Sequence, residues 1–260
     1  MLRLELHGTT DVGRSRRRNE DAVAVDPDRG LAVVADGMGG HPAGDVASAL
    51  AVEAICRAWG ADEGDGPEAV SSTAPEASSF PAGERMEEAV RGANEEILRE
   101  GEARPERSGM GTTVTAVQVD ADRKEWVVGH VGDSRAYLWR DQELQPLTRD
   151  HTPLQDEVDA GRLSREEARI HPMSHVLSQA LGTQRRVEPQ IRTGACRPGD
   201  LFLLCTDGLL AALSEEEIEA LVRRGAEDSL EDLASVLVDE ANDRGAPDNV
   251  TVALVRVRPA

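Results

Sequence analysis

Four aspartates stand where a carboxylate is costly unless something positive meets it. LAVVADGMGG places Asp36 directly after an apolar run, LFLLCTDGLL does the same with Asp207, VGDSRAY carries Asp133, and APDNVTVALV carries Asp248 just ahead of the last apolar stretch. A charge brought to the edge of a core loses hydration that it must recover from a cation or a basic side chain. Close to the N-terminus, RSRRRNED sets Arg14, Arg16, Arg17 and Arg18 ahead of Glu20 and Asp21. A guanidinium forks two parallel hydrogen bonds onto phosphate oxygens, so an arginine near metal-binding carboxylates is what phosphate-ester chemistry asks for. Asp-Gly is also an ordinary turn dipeptide. Asp65-Gly66, in an irregular stretch, is read as no more than that, so it is the company of these motifs that carries weight.

The elements that must position these residues are short. Strand-like, β-branched runs lie at Leu31 to Ala35, Thr112 to Val119, Trp126 to Val131, Arg135 to Trp139, Leu201 to Thr206 and Val250 to Val257. Helical spacing links Val46, Ala47, Leu50, Ala51, Ala54, Ile55 and Trp59, and again Met86, Val90, Ala93 and Ile97. Two further amphipathic helices are predicted at Glu215 to Arg223 and Leu230 to Asn242. Strands grouped between helices predict an α+β layered domain with antiparallel sheets. The segment 60–83, rich in Gly, Pro, Ser, Ala and acid, reads as an irregular loop inside one domain spanning 1–260, because strand runs lie on both sides of it.

Composition narrows the function classes. The chain has 260 residues, 29 Lys+Arg against 49 Asp+Glu and a net charge of −20, with only three Trp, one Tyr and two Phe. Nucleic acid is not an expected partner, since it is held by clustered basic surface and stacking aromatics. Apolar runs fall far short of the ~20 residues of a membrane helix, and the N-terminal MLRLELHGTT lacks a secretory apolar segment. The odd, scattered Cys56, Cys196 and Cys205 read as reduced thiols. A cytoplasmic protein is expected.

Taken together, RxxNED, DGMGGH, SGMGTT, GHVGDSRAY, LTRDHT, LLCTDGLL and APDNVTV run in an order and spacing that resembles the metal-dependent protein serine/threonine phosphatases, the type 2C family, in its bacterial form. The resemblance extends from about Gly8 to Val257. It implies a central antiparallel β-sandwich flanked by helices on both faces, with a two-metal site at one end. It further implies that Asp36 bridges both metals, that the Gly37 carbonyl ligates one, and that Asp207 and Asp248 complete the ligands of the other. Asp21, with Glu20, would hold metal-bound waters, and Arg16 would clamp the phosphate. Arg17 and Arg18 read as a solvated face. In many bacterial members a third metal sits on the equivalents of Asp133 and Asp207; the competing reading for Asp133 is a turn or cap with Ser134 as local partner.

The residue chemistry agrees with this placement. Oxygen donors without a Cys or His cluster favour Mn²⁺ or Mg²⁺ over zinc, and two such ions would lower the pKa of a shared water and present hydroxide for in-line attack, with no phosphoenzyme. Residues 150–182 correspond to the family's variable flap, where His171 and His175 are given no role. Thr148 and His151 are expected to fix the segment leading into it. One departure concerns the proton for the leaving group. Eukaryotic members place a His two residues after the bridging Asp, and this chain has Met38 there. A thioether donates no proton, and His41 is not a simple replacement, so a metal-bound water is the preferred acid.

The expected activity is hydrolysis of phosphoserine and phosphothreonine in proteins, with Ser/Thr kinases and their targets as partners of a monomeric enzyme. Two alternatives are a non-catalytic phosphoprotein-binding relative and a phosphatase for small phosphomonoesters.

Overall fold

The alternation in LAVVAD explains the layering. Leu31, Val33 and Ala35 pack into one hydrophobic cluster and Ala32 and Val34 into another, because successive strand side chains point to opposite faces. All five are fully buried, so this strand is covered on both sides. The structure is a computed structural model and describes residues 2–38, 43–60 and 81–260.

In chain order the described elements are β1 (Leu2–Asp11), β2 (Asp21–Asp26), β3 (Leu31–Asp36), α1 (Gly44–Gly60), α2 (Ala82–Ala103), β4 (Val114–Asp120), β5 (Glu125–Val131), β6 (Arg135–Arg140), β7 (Glu143–Pro146), α3 (Pro153–Asp159), α4 (Arg165–Arg169), β8 (Gln190–Ala195), β9 (Leu201–Cys205), α5 (Asp207–Ala212), α6 (Glu215–Gly225), α7 (Leu230–Asp243) and β10 (Val250–Pro259). They form two antiparallel five-stranded sheets, ordered β1-β10-β9-β6-β7 and β2-β3-β4-β5-β8. Between the sheets lie Val117, Val119, Trp126, Val128, Leu138, Phe202, Leu204 and Val255. The second sheet carries α1 and α2 on its outer face, and the first carries α5, α6 and α7. The α+β sandwich with helices on both faces is therefore what the chain forms.

Differences from the sequence reading are local. Strands β1, β2, β7 and β8 were not expected. Apart from its exposed Arg3 and Thr10, β1 is half-buried along its length and mixes charge with apolar residues, as an edge strand does. Gly60 closes α1 and Ala82 opens α2, which trims the expected loop 60–83; residues 61–80, with Asp65-Gly66, lie outside the described residues. The flap region 150–182 contains α3 and α4, with Ser164 and Glu167 forming a reciprocal cap at the start of α4. Among the described residues no helix is long and apolar enough to cross a membrane.

Candidate metal centre

Strand register, rather than closeness in sequence, gathers the acidic residues. Asp21 opens β2 and Asp36 closes β3, and the two stand opposite each other in the antiparallel pairing. In the other sheet, Cys205 at the end of β9 pairs with Val252 near the start of β10 and with Arg135 at the start of β6. Asp207, Asp248 and Asp133 therefore leave the same end of that sheet.

Backbone packing fixes where these carboxylates stand. The Asp36 amide donates to Thr113 Oγ1 at 3.0 Å, and the Asp36 carbonyl accepts from Thr112 Oγ1 at 2.8 Å and from the Thr113 amide at 2.9 Å. At Gly37 a Cβ would stand 2.3 Å from the Gly44 carbonyl oxygen and 2.5 Å from that of Glu20. At Gly208 it would stand 1.9 Å from the Asn249 carbonyl oxygen. Only glycine allows α5 to start this close to the loop before β10, which is what sets Asp207 beside Asp248.

Asn249 ties the loops together. Its Oδ1 accepts from the Glu20 amide at 2.9 Å, and its Nδ2 donates to the Val12 and Arg18 carbonyls, each at 2.9 Å. This brings the loop after β1 over Asp248, whose Oδ2 receives Arg16 Nη2 at 2.6 Å. Asp21 Oδ2 accepts from Thr206 Oγ1 at 2.8 Å and from Thr251 Oγ1 at 2.5 Å. Sequence reasoning overlooked these two threonines, although one immediately precedes Asp207 and the other lies three residues after Asp248. Ser134 shares a 2.6 Å hydrogen bond with Thr113 Oγ1, so its hydroxyl supports the strand that carries Asp36.

The electrostatics are those of crowded carboxyl groups. Burial, opposed by the two threonine hydroxyls and reinforced by Asp207 and Asp248, pushes Asp21 up to about 7. Burial and the charge of Asp207 raise Asp36 and Asp133 well above the carboxylate range. Burial raises Asp207 as well, against the lowering effect of its hydrogen bond with Asp36, and burial raises Glu20. The hydrogen bond that Arg16 donates to Asp248 raises Arg16 further.

Divalent cations fit this donor set. Asp207 Oδ1 is a buried acceptor with no hydrogen-bond partner, and the surrounding groups are hard oxygens that repel one another until positive charge arrives. The arrangement is not a finished ligand sphere, since among the described residues no three Asp, Glu, His or Cys side chains already surround one point, and Asp248 is engaged by Arg16.

The flap is rooted beside this cluster. Thr112 bridges to Gly37 on one side and to Leu181 on the other. Arg135 forks Asp150 through Nε at 2.8 Å and Nη2 at 2.7 Å, and Thr148 Oγ1 accepts from the Ala136 amide at 3.1 Å. His151 exchanges hydrogen bonds with Gly132, next to Asp133. His171 Nδ1 accepts locally from the Met173 amide and His175 is exposed. Met38 packs beside Gly111, whose carbonyl accepts the Met38 amide at 3.0 Å, while His41 lies outside the described residues.

Comparison with known proteins converges on one family. A profile described as protein phosphatase 2C matches residues 12–247. The serine/threonine phosphatase Stp of Listeria monocytogenes is 35% identical over 249 residues, covering 95% of this chain and 93% of that protein. PstP of Mycobacterium tuberculosis is 38% identical, over 98% of this chain but 45% of its own length, and its crystal structure superposes with a TM-score of 0.84 at 35% identity, covering 98% of this chain and 99% of that one. A PstP catalytic domain solved in complex with two manganese ions gives 0.83 at 35% identity, with 100% of each chain covered. With one profile spanning nearly the whole chain, and both sheets and their helices matched by these structures, the chain belongs to the protein phosphatase 2C family.

Proposed function

We propose that this chain is a metal-dependent phosphatase that removes phosphate from phosphoserine and phosphothreonine in proteins. The observation that carries the reading is the convergence of Asp21, Asp36, Asp133, Asp207 and Asp248 from two sheets onto one end of the sandwich, with Arg16 at its edge. Asp36, the Gly37 carbonyl, Asp207 and Asp248 would hold two ions, Mn²⁺ or Mg²⁺, and Asp133 with Asp207 a third. Such ions supply an activated water for direct attack on phosphorus and neutralise developing charge. Asp21 and Glu20 orient water at the cluster. Arg16, already carried on a loop against Asp248, receives the phosphoryl oxygens. Met38 has no proton to give, so the leaving group takes its proton from water.

The manganese found in the PstP catalytic domain supports the metal assignment, and the names of Stp and PstP support the substrate class. The reading extends to residues 1–260 acting as one catalytic domain, to kinases and their targets as partners, and to a monomer in the cytoplasm.

Phosphate release from a phosphothreonine peptide, measured with Mn²⁺, with Mg²⁺ and with chelator for wild type and Asp207→Ala, tests it. Metal-dependent release that the substitution abolishes is expected. A folded, metal-loaded wild type that releases nothing would overturn the enzyme reading in favour of phosphoprotein binding. Failure of the peptide to compete with a small aryl phosphate would instead favour small monoesters.

A further inference from the structure

The turn that presents Asp133, between β5 and β6, is bracketed by two consecutive residues, Asp150 and His151. On the far side of Asp133, Arg135 forks Asp150 through Nε at 2.8 Å and Nη2 at 2.7 Å. On the near side stands Gly132, which has no side chain with which to fix the turn, and both of its main-chain polar groups go to His151. The Gly132 carbonyl accepts from the His151 amide at 2.7 Å, and the Gly132 amide donates to His151 Nδ1 at 3.2 Å.

Only one of these hydrogen bonds depends on what residue 151 is. The His151 amide bond to Gly132, and the 2.8 Å bond that the His151 carbonyl accepts from the Ser178 amide, are main-chain contacts that any side chain would leave in place. The ring adds an acceptor and a stacked contact with His130, the two centroids 5.0 Å apart and the planes at 28°. His130 is fully buried behind it, with Nδ1 2.9 Å from Thr115 Oγ1. That hydroxyl also donates to the Ser134 carbonyl at 3.0 Å, so the stack joins the residue before Asp133 to the residue after it.

The acceptor is what the turn lacks. Gly132 is buried, and a buried amide without an acceptor is rare because it is costly. An amide can only donate, so His151 Nδ1 is the unprotonated nitrogen and the ring carries its proton on Nε2. Burial, aided by Arg149 and opposed by Asp150 and Asp156, lowers the pKa of His151, which keeps the ring neutral and the acceptor available near neutral pH.

We propose that His151 is a positioning residue for Asp133: by accepting from the Gly132 amide, its ring fixes the turn that holds the Asp133 carboxylate where, with Asp207, it takes a divalent ion. The inference rests on Asp133 as a ligand of a third ion, and not on the two-ion set of Asp36, Asp207 and Asp248. Groups that orient a metal ligand from behind typically change metal affinity by about 10–100-fold.

The test is calorimetric titration of the full chain with Mn²⁺, each variant being checked for fold by urea denaturation. Asp133→Asn marks the binding event that Asp133 serves. His151→Leu and His151→Asn have nearly the same shape and differ in the acceptor, whereas His151→Phe keeps a ring to stack on His130 and loses the acceptor. His151→Leu and His151→Phe are expected to weaken the marked event about tenfold or more, and His151→Asn to restore it to within about threefold of wild type. In the Asp133→Asn background, His151→Leu should add nothing, because the two changes remove one and the same effect.

Wild-type binding in His151→Leu or His151→Phe, a His151→Asn variant as weak as His151→Leu, or a loss that persists undiminished without Asp133 would overturn the proposal. Loss of fold in all three variants would make His151 structural and overturn it too. If Asp133→Asn itself binds Mn²⁺ as wild type does, the third-ion reading fails and this inference with it, while phosphate release from the phosphothreonine peptide reports separately on the two-ion enzyme.

Discussion

Arg16 and Asp248 meet in a 2.6 Å ion pair across 232 residues of sequence. Both side chains are partly exposed, at 43% and 30%, so the pair contributes only about 0–1 kcal/mol to folding. Its importance lies in where it puts a guanidinium. Arg16→Ala is expected to lower kcat/KM for a phosphopeptide by roughly 10²-fold, the scale seen when one charge-stabilising donor is removed. The melting temperature should barely move; a large drop would make Arg16 structural instead.

Metal-free protein should lose stability as pH rises. Asp21 takes its proton at about 7 in the folded chain against an ordinary 3.8, and burial and the charge of Asp207 shift Asp36 and Asp133 in the same direction. Where folded carboxyls hold protons that the unfolded chain has released, stability falls with increasing pH. His130, buried and pushed down to about 3 from 6.5, acts with the opposite sign below 6.5, where the unfolded chain binds the extra proton. The carboxyl effect is therefore clearest between about pH 6.5 and pH 8. Thermal melts with chelator should fall across that window, and saturating Mg²⁺ or Mn²⁺ should flatten the trend. A chelated protein that gains stability there would contradict the crowded-carboxyl account.

Gly208→Ala sets two effects against each other. Alanine favours a helix over glycine by about 1 kcal/mol, yet its Cβ would lie 1.9 Å from the Asn249 carbonyl oxygen, and that atom is backbone. The clash wins, so α5 must move away from the β10 loop, separating Asp207 from Asp248. Calorimetric titration should show Mn²⁺ affinity reduced by about tenfold or more, since each tenfold is only 1.4 kcal/mol. Unchanged affinity would mean that the two aspartates need not be held together by this contact.

Thr251→Val keeps the shape of a side chain whose hydroxyl donates to Asp21 Oδ2 at 2.5 Å and shares a 2.6 Å hydrogen bond with Thr10. Removing it strips a buried carboxyl of one of two hydroxyl donors, a loss of about 1–3 kcal/mol, measurable by urea denaturation. Activity should fall with it, because Asp21 would be less able to remain ionised. Normal stability in the valine variant would show that Thr206 alone satisfies Asp21.

How much was legible can be judged from particular residues. Asp36 and Asp207 were readable because each ends a run of apolar residues, a pattern that burial imposes on a central strand. The stripe of Leu230, Leu233, Ala234, Leu237, Val238 and Ala241 in α7 was readable for the analogous helical reason. Strand β1 was not, since its half-exposed faces mix charge with apolar residues. Nor were α3, α4 and α5, of 7, 5 and 6 residues, which are too short to display a helical period.

The sequence by itself therefore determined which carboxylates leave buried strands, that they are oxygen donors without sulfur or imidazole, and which family their order resembles. Only the tertiary structure decided that Asp21 stands opposite Asp36, that Thr206 and Thr251 hold Asp21, that Asn249 ties the Arg16 loop to Asp248, and that the His151 ring accepts from the Gly132 amide beside Asp133. The physical reason is that local propensity acts over a few residues, whereas these contacts follow from strand register and from pairing β1 with β10 along their whole length, Leu2 opposite Pro259 and Asp11 opposite Val250.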